Sequence, residues 1–451
     1  MGFEEYFNSL KGKKIAVLGL GVSNRPLVKL LLDYGCTVIG CDRTTRDKLD
    51  AEVLDLENRG CILNLGDTYL DIPGADLVFR TPGLHPAKLE HLKAQGAKIT
   101  SEMEVFFRLC PCTILAVTGS DGKTTTTTLI SEMLKAEGNT VWLGGNIGTP
   151  LLSLVPQMKA TDYAVVELSS FQLMDMEHSP HIAVITNLSP NHLDVHKDMD
   201  EYVEAKKTIY RYQSREDILI VNGDNALTAP LQNSGKTRYF SHSGILRNGT
   251  YLDGDTIYRD GKAILCKQDI AIPGEHNVEN YMAAILAVEG LVKDETILQV
   301  ARTFGGVEHR IELVRVKDGV KYYNDSIASS PSRTMAGLAS FSEKVLLIAG
   351  GYDKHIPFDV LGPAVCEHVK TLYLNGATAA QIRQAVESAP EYKPGFPEIV
   401  DCGDFTTAVK TAAAQAQSGD VVLMSPACAA FDQFKNFMER GNYYKQLIKE
   451  L

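Results

Sequence analysis

No stretch of the 451 residues approaches the roughly 18 uninterrupted apolar residues of a membrane-spanning helix. The opening MGFEEYFNSLKGKK lacks the apolar core of a secretory leader, so a soluble cytoplasmic protein is expected. A basic excess is missing too. Lys and Arg number 45 against 56 Asp and Glu, a net charge of -11, which argues against a broad nucleic-acid-binding surface. Anionic ligands must then be held by local cations and backbone amides. The nine cysteines show neither CxxC nor a Cys/His zinc spacing, and reduced, mostly buried thiols are expected. There is no strong repeat and no low-complexity tract, one local run of threonines aside. What remains is an ordinary globular composition, 44% hydrophobic and 22% charged.

Strand-like runs alternate with helical patterns almost throughout, which predicts α/β layering with mainly parallel sheets. A first set comprises KIAVLGLG, TVIGCD, LVFRTPG and AKIT; a second runs from TILAVTGS through TVWLGGN, YAVVELSS and IAVITNLSP to ILIVNGDN. A third holds KVLLIAGG, TLYLNG, EIVDCG and DVVLMSPACAA. Between the second and third, TRYFSHS and GTYLDGDTIYRDGKAIL read as irregular or antiparallel. Boundaries near 108 and 308 give three α/β domains, 1–108, 109–307 and 308–451.

Two glycine loops follow strands and open helices. The first, VLGLGVSNRPLV, nearly matches a dinucleotide fingerprint, with Asp42 ending the next strand. Asn24 stands in the third glycine's place, so the usual tight helix–strand packing is not assured. A nicotinamide cofactor, the diphosphate of a UDP-sugar, and a ligand-free turn all remain open there. The second, AVTGSDGKTT, is a shortened phosphate loop in which two residues separate Gly119 from Gly122-Lys123-Thr124. Its glycines admit close backbone approach, and the helix start aims N–H groups at an anion. Lys123 would offset β/γ-phosphate charge and the Thr124 hydroxyl would reach Mg²⁺. Thr125 to Thr128 read more simply as packed helix residues. Glu167 and His192 each follow an apolar strand, where ligands gather in α/β sheets, and together with the loop they suggest a divalent-cation shell.

TGSDGKTT, with GGNIG at 144–148, EHNVEN at 275–280, EHR at 308–310 and NDS at 324–326, resembles the Mur ligase family over essentially the whole chain. ELSSFQL, SPACAAFDQFKNFMERG, GLGVSN and the TPG at 81–83 resemble its D-glutamate-adding branch. The resemblance implies a Rossmann-like N-terminal domain for the UDP-substrate, a central P-loop ATPase-type domain and a Rossmann-like C-terminal domain for the amino acid. It implies a monomer that uses ATP and Mg²⁺ to join UDP-N-acetylmuramoyl-L-alanine and D-glutamate through an acyl phosphate.

Carried over by position, the resemblance gives Gly119, Ser120, Asp121, Gly122, Lys123, Thr124 and Thr125 to the ATP phosphates. Asn277, Asn280, Arg310 and Asp325 would hold adenine and ribose and orient the hinge. Thr124, Glu167, His192 and a CO₂-derived carbamate on Lys206 would form the metal sites. Without the resemblance Lys206 reads as an exposed helix lysine. The UDP-substrate would meet Gly21, Val22, Ser23, Asp42, Arg43, Thr81, Pro82, Gly83, Asn146 and His192. Ser329, Lys354, Phe431 and Phe437 would form the D-glutamate pocket, although packing explains the two phenylalanines equally well. Three positions depart from the family. Ile327 stands where family members can carry a lysine and Ala430 where they can carry a serine, so a cation and a hydroxyl are either absent or supplied from elsewhere, and Asp121 adds charge to the phosphate loop. Other readings to be tested are a folylpolyglutamate synthase, an NAD-linked oxidoreductase and a nucleotide-binding switch.

Overall fold

The computed structural model describes residues 2–190 and 196–451. In the first sheet, β1 (Lys14–Leu18), β2 (Thr37–Asp42), β3 (Ile62–Leu65), β4 (Leu77–Phe79) and β5 (Lys98–Thr100) run parallel in the order β3-β2-β1-β4-β5. β1 is buried from Ile15 onward, as a parallel strand covered on both faces must be.

The second sheet contains β6 (Thr113–Thr118), β7 (Val141–Gly145), β8 (Tyr163–Glu167), β9 (Ile182–Ile185), β10 (Ile218–Asn222), β11 (Lys236–Ser241), β12 (Gly249–Asp253), β13 (Thr256–Arg259) and β14 (Lys262–Cys266). Their order is β14-β13-β12-β11-β10-β9-β6-β8-β7. TRYFSHS is not irregular: as β11 it pairs parallel with both β10 and β12. Only β12 to β14 form an antiparallel meander, joined by the short turns that such pairing allows.

The third sheet has β15 (Glu312–Lys317), β16 (Val320–Asn324), β17 (Val345–Gly350), β18 (Val369–Asn375), β19 (Glu398–Gly403) and β20 (Val421–Met424) in the order β15-β16-β20-β17-β18-β19. Its β15–β16 pair is antiparallel and the rest are parallel.

The chain divides into two compact units, Met1–Lys267 with Glu279–Val300, and Gln268–Val278 with Ala301–Leu451. The first unit contains both of the first two sheets. One continuous core explains this, since Ile15, Phe106, Leu109, Leu152, Val166 and Ile185 belong to the same buried cluster. The second unit reaches back to Gln268, well before the break expected near 308. Six of the nine cysteines are buried and none forms a disulfide. No helix among the described residues is long and apolar enough to cross a membrane.

Strand order reverses beside β1 and β4 in the first sheet and beside β6, β8 and β9 in the second. At such points the connections leave on opposite faces and open a crevice at the strands' carboxyl ends. The glycine loops, the TPG turn and Glu167 all fall at those ends.

Candidate active site

The phosphate loop is held from behind. Gly122 adopts φ 75° just before the helix Lys123–Ala136, and a Cβ there would collide with Asn280 Oδ1. The Asp121 N–H donates to Asn187 Oδ1 at 2.9 Å, and Thr186 Oγ1 donates to the Asp121 carbonyl at 2.6 Å. Ser120 is 5% exposed, its hydroxyl committed to the Ser189 carbonyl at 3.0 Å and Tyr202 OH at 2.8 Å. Its side chain therefore shapes the loop, and its backbone N–H is also spent inside the protein, on the Asn187 carbonyl at 2.9 Å. Lys123 Nζ donates to the Ser120 carbonyl at 2.7 Å, while Thr124 and Thr125 remain partly exposed. The threonine run is buried at Thr126 and Thr127, and Thr126 Oγ1 also donates to Asn280 Oδ1 at 3.2 Å.

Glu167 closes the adjacent strand and is 1% exposed. Its Oε1 accepts from Asn146 Nδ2 at 2.9 Å, whereas Oε2 is buried without a partner among the described residues. A buried, unsatisfied carboxylate oxygen is expensive unless something else completes it, and a divalent cation would. Gly145, at φ 97°, lets its chain pass so close to the Glu167 carbonyl that a Cβ would clash. The Asn146 N–H donates to that carbonyl at 2.8 Å.

Lys206 reverses the expectation of an exposed helix lysine. It is 2% exposed, with Nζ donating to the Gly119 carbonyl at 2.8 Å and to Thr118 Oγ1 at 3.3 Å. Burial first, and Lys123 second, push its pKa well below the ordinary 10.5. The signal was in the helix Met199–Arg211 all along: Tyr202, Ala205, Lys206 and Ile209 share one face, and that face is buried. His192 lies outside the described residues. Among the described ones no three His, Cys, Asp or Glu side chains gather as a metal site. The orphaned Glu167 oxygen, on the strand beside the one that opens the phosphate loop, nevertheless suits a divalent cation.

On the substrate side, Asn24 does more than replace a glycine. It is 6% exposed, and its Nδ2 donates to the carbonyls of Leu18 at 3.0 Å and Gly19 at 2.9 Å, pinning the loop. Gly21, Val22, Ser23, Arg43 and Gly83 are exposed, and Thr81 and Pro82 half-buried. Burial would raise the Asp42 pKa, but the N–H groups of Leu20 and Thr44, each at 2.8 Å, outweigh it and lower the value. A cavity of about 60 Å³ brings Ser23, Asn24 and Pro82 together with Arg80, Glu102 and Gly145.

Arg80 and Glu102 carried no motif signal. Arg80, 3% exposed, donates to the carbonyls of Leu84 at 3.1 Å, Phe171 at 3.0 Å and Met174 at 2.8 Å. It thereby ties the TPG turn to the segment that follows Glu167. His196, also unsignalled, stacks on Phe171 at 5.1 Å and meets Ser170 Oγ at 2.9 Å.

The remaining positions lie in the second unit, except Asn280, which belongs to the first. Asn277 Nδ2 donates to the Pro273 carbonyl, and the Arg310 side chain is exposed. Asp325 is 4% exposed, accepting from Ser425 Oγ at 2.7 Å and the Ile311 N–H at 3.3 Å, and burial pushes its pKa up to about 7. Both of its oxygens are thus engaged within this unit. Lys354 is exposed; Phe431, 60% exposed, meets the Tyr352 ring edge-on at 5.7 Å. Phe437 is half-buried and packs on His309 at 6.0 Å. The two phenylalanines thus part company, one open to a ligand and one in the packing. At the Ile327 turn a cation does stand: Arg333 Nη1 donates to the Ile327 carbonyl at 3.2 Å. A cavity of about 390 Å³ beside the Asp353–Asp359 segment is lined by none of Ser329, Lys354, Phe431 or Phe437.

Residues 117–288 match the Mur ligase middle domain and residues 309–428 the Mur ligase glutamate ligase domain. A UDP-N-acetylmuramoylalanine–D-glutamate ligase from Acetivibrio thermocellus is 51% identical over 458 residues, covering 99% of this chain and 98% of its own. The chain belongs to the Mur ligase family. A ligase of the same name from Clostridium botulinum is 48% identical over 454 residues, covering 100% and 99%. Among solved structures, a UDP-N-acetylmuramate–alanine ligase from Thermotoga maritima has the same fold, with a TM-score of 0.58 at 18% identity over 97% of this chain and 99% of its own.

In this Mur ligase Glu102 also titrates unusually. Burial pushes its pKa from 4.5 up to about 7, although the Leu152 and Leu151 N–H groups pull the other way. The folded chain then holds a proton that the unfolded chain has shed, so stability falls as pH rises from 4.5 to about 7. Glu102→Gln keeps an acceptor for those N–H groups and removes the charge. It is expected to melt above wild type at about pH 8, by at most about 3 kcal/mol, with the gap closing near pH 5. Thermal melts at both pH values check this, and an equal gap at both would contradict it.

Proposed function

We propose that this Mur ligase uses ATP to form the amide between UDP-N-acetylmuramoyl-L-alanine and D-glutamate, in cytoplasmic cell-wall precursor synthesis. The observation that carries the chemistry is the group at the ends of β6 and β8: a phosphate loop, a carboxylate with one orphaned oxygen, and a buried lysine of depressed pKa. The choice of acceptor rests on relatives that bear this ligase name over the whole length of the chain.

In this reading an oxygen of the L-alanyl carboxylate attacks the γ-phosphorus of ATP and ADP leaves, giving an acyl phosphate. The D-glutamate amine, having lost a proton, adds to the acyl carbon. The tetrahedral adduct collapses to the amide and releases phosphate. Lys123 offsets charge where two anions must meet, the main electrostatic obstacle. Thr124, Glu167 and a carbamylated Lys206 would hold Mg²⁺, with His192 supplied by the family pattern. Bound there, the cation would neutralise phosphate charge and polarise the transferred group. Asn146 keeps Glu167 oriented from the substrate side. In the acceptor site Lys354 pairs with a carboxylate of D-glutamate, and Arg333 supplies the cation that Ile327 does not.

Phosphate release in ATP and Mg²⁺, adding the UDP-substrate and then D-glutamate or other amino acids, tests the reading. Release should require both partners, with an amide product by mass. Dependence on another amino acid would displace D-glutamate while retaining the ligase, and no acceptor-dependent release with CO₂ present would remove the ligase itself.

A further inference from the structure

The largest fully buried side chain among the described residues is a cation with no role assigned so far. Arg440 is 2% exposed and lies in the first turn of the helix Phe437–Glu450, where positive charge opposes the helix dipole. Among the described residues no carboxylate lies within ion-pairing distance, and Asp432 and Asp325 act on it only from farther away. Burial lowers its pKa to about 10, so the guanidinium remains charged at neutral pH.

Its donors are spent on two separate loops. Nε donates to Ser326 Oγ at 3.0 Å and Nη2 to the Ser326 carbonyl at 2.9 Å. Nη2 also donates to the Cys428 carbonyl and Nη1 to the Ala429 carbonyl, both at 3.1 Å. A third loop presses on the same group: the Tyr352 N–H donates to the Ala429 carbonyl at 2.9 Å, and a Cβ at Gly351 would stand 3.3 Å from Arg440 Nη1. Those three loops carry Ser329, Lys354 and Phe431. Each leaves the carboxyl end of a strand in the third sheet, β16, β17 and β20, which are adjacent in the order β16-β20-β17.

We propose that Arg440 is the positioning residue of the amino-acid site, holding the Ser329, Lys354 and Phe431 loops in one arrangement and leaving its charge to be balanced by an acidic acceptor. The inference rests on the reading of this site as the D-glutamate pocket. A planar guanidinium can bridge several carbonyls at fixed angles, whereas a lysine ammonium has the charge without that geometry.

The test varies each substrate in turn for wild type, Arg440→Lys and Ser326→Ala. Ser326→Ala removes one acceptor of the guanidinium without touching the charge. Arg440→Lys is expected to raise KM for the amino acid about 10-fold or more, with kcat and the other two KM values within about 2-fold. Ser326→Ala should show the same selective rise to a smaller degree. Unchanged amino-acid KM in both variants would overturn the proposal, as would equal changes in all three KM values, the mark of a merely structural residue. If Arg440→Lys fails to fold, Ser326→Ala alone decides. If wild type responds to another acidic amino acid, the D-glutamate reading fails while the positioning role is judged on that acceptor. A wild-type preference for an uncharged amino acid, or no response to any, overturns both.

Discussion

Replacing Lys206 with methionine is expected to cost at least about 100-fold in turnover without lowering the melting temperature. The two halves of that result have one cause. The buried amine sits beside Lys123, and its depressed pKa leaves more of it neutral, the form that attacks CO₂. In the proposed carbamylation a C–N bond would form, the nitrogen would lose a proton, and a cation would become a carbamate able to ligate Mg²⁺. Until then the amine is a liability to the fold. The unfolded chain holds a proton that the folded chain tends to lose, so stability rises with pH toward the ordinary lysine value of 10.5. Methionine removes that cost along with the chemistry. Stripping CO₂ from wild type should lower activity, and bicarbonate should restore it, while the variant responds to neither. Phosphate release with and without bicarbonate checks this; an undiminished rate in Lys206→Met would end the carbamate assignment.

Lys123→Ala should lose about 1,000-fold in kcat while UDP-substrate binding by calorimetry stays near wild type. Its ammonium is held at the loop by a neutral acceptor, the Ser120 carbonyl 2.7 Å away. The loss should therefore fall on the step in which carboxylate and γ-phosphate approach. A second consequence separates this from general damage. Lys123 helps to depress the Lys206 pKa, so its removal lets Lys206 hold its proton longer. Residual activity in the variant should need more bicarbonate than wild type does. Normal turnover in Lys123→Ala would overturn the phosphate-loop mechanism.

The contrast between these two lysines shows what could be read directly. Lys123 sits in a contiguous strand–loop–helix signal, and its neighbours in sequence are its neighbours in space. Lys206 has no such local context. Its burial follows from the helix face it shares with Tyr202 and Ile209, and its chemistry from the Gly119 carbonyl many residues earlier. Arg80, Glu102 and Arg440 were missed for the same reason. Each bonds to backbone groups of distant segments, and a backbone carbonyl leaves no mark in a residue pattern. The TRYFSHS strand was misread because a half-buried pattern does not say which way its neighbour runs.

The sequence by itself determined the alternation of strand and helix, the two glycine loops, and the residue types that place the chain among the Mur ligases. These are local quantities, set by periodicity, turn chemistry and spacing. Only the tertiary structure decided which charges lose their water. Lys206 and Arg440 become unusual through desolvation, and desolvation is set by whatever the rest of the chain packs around them.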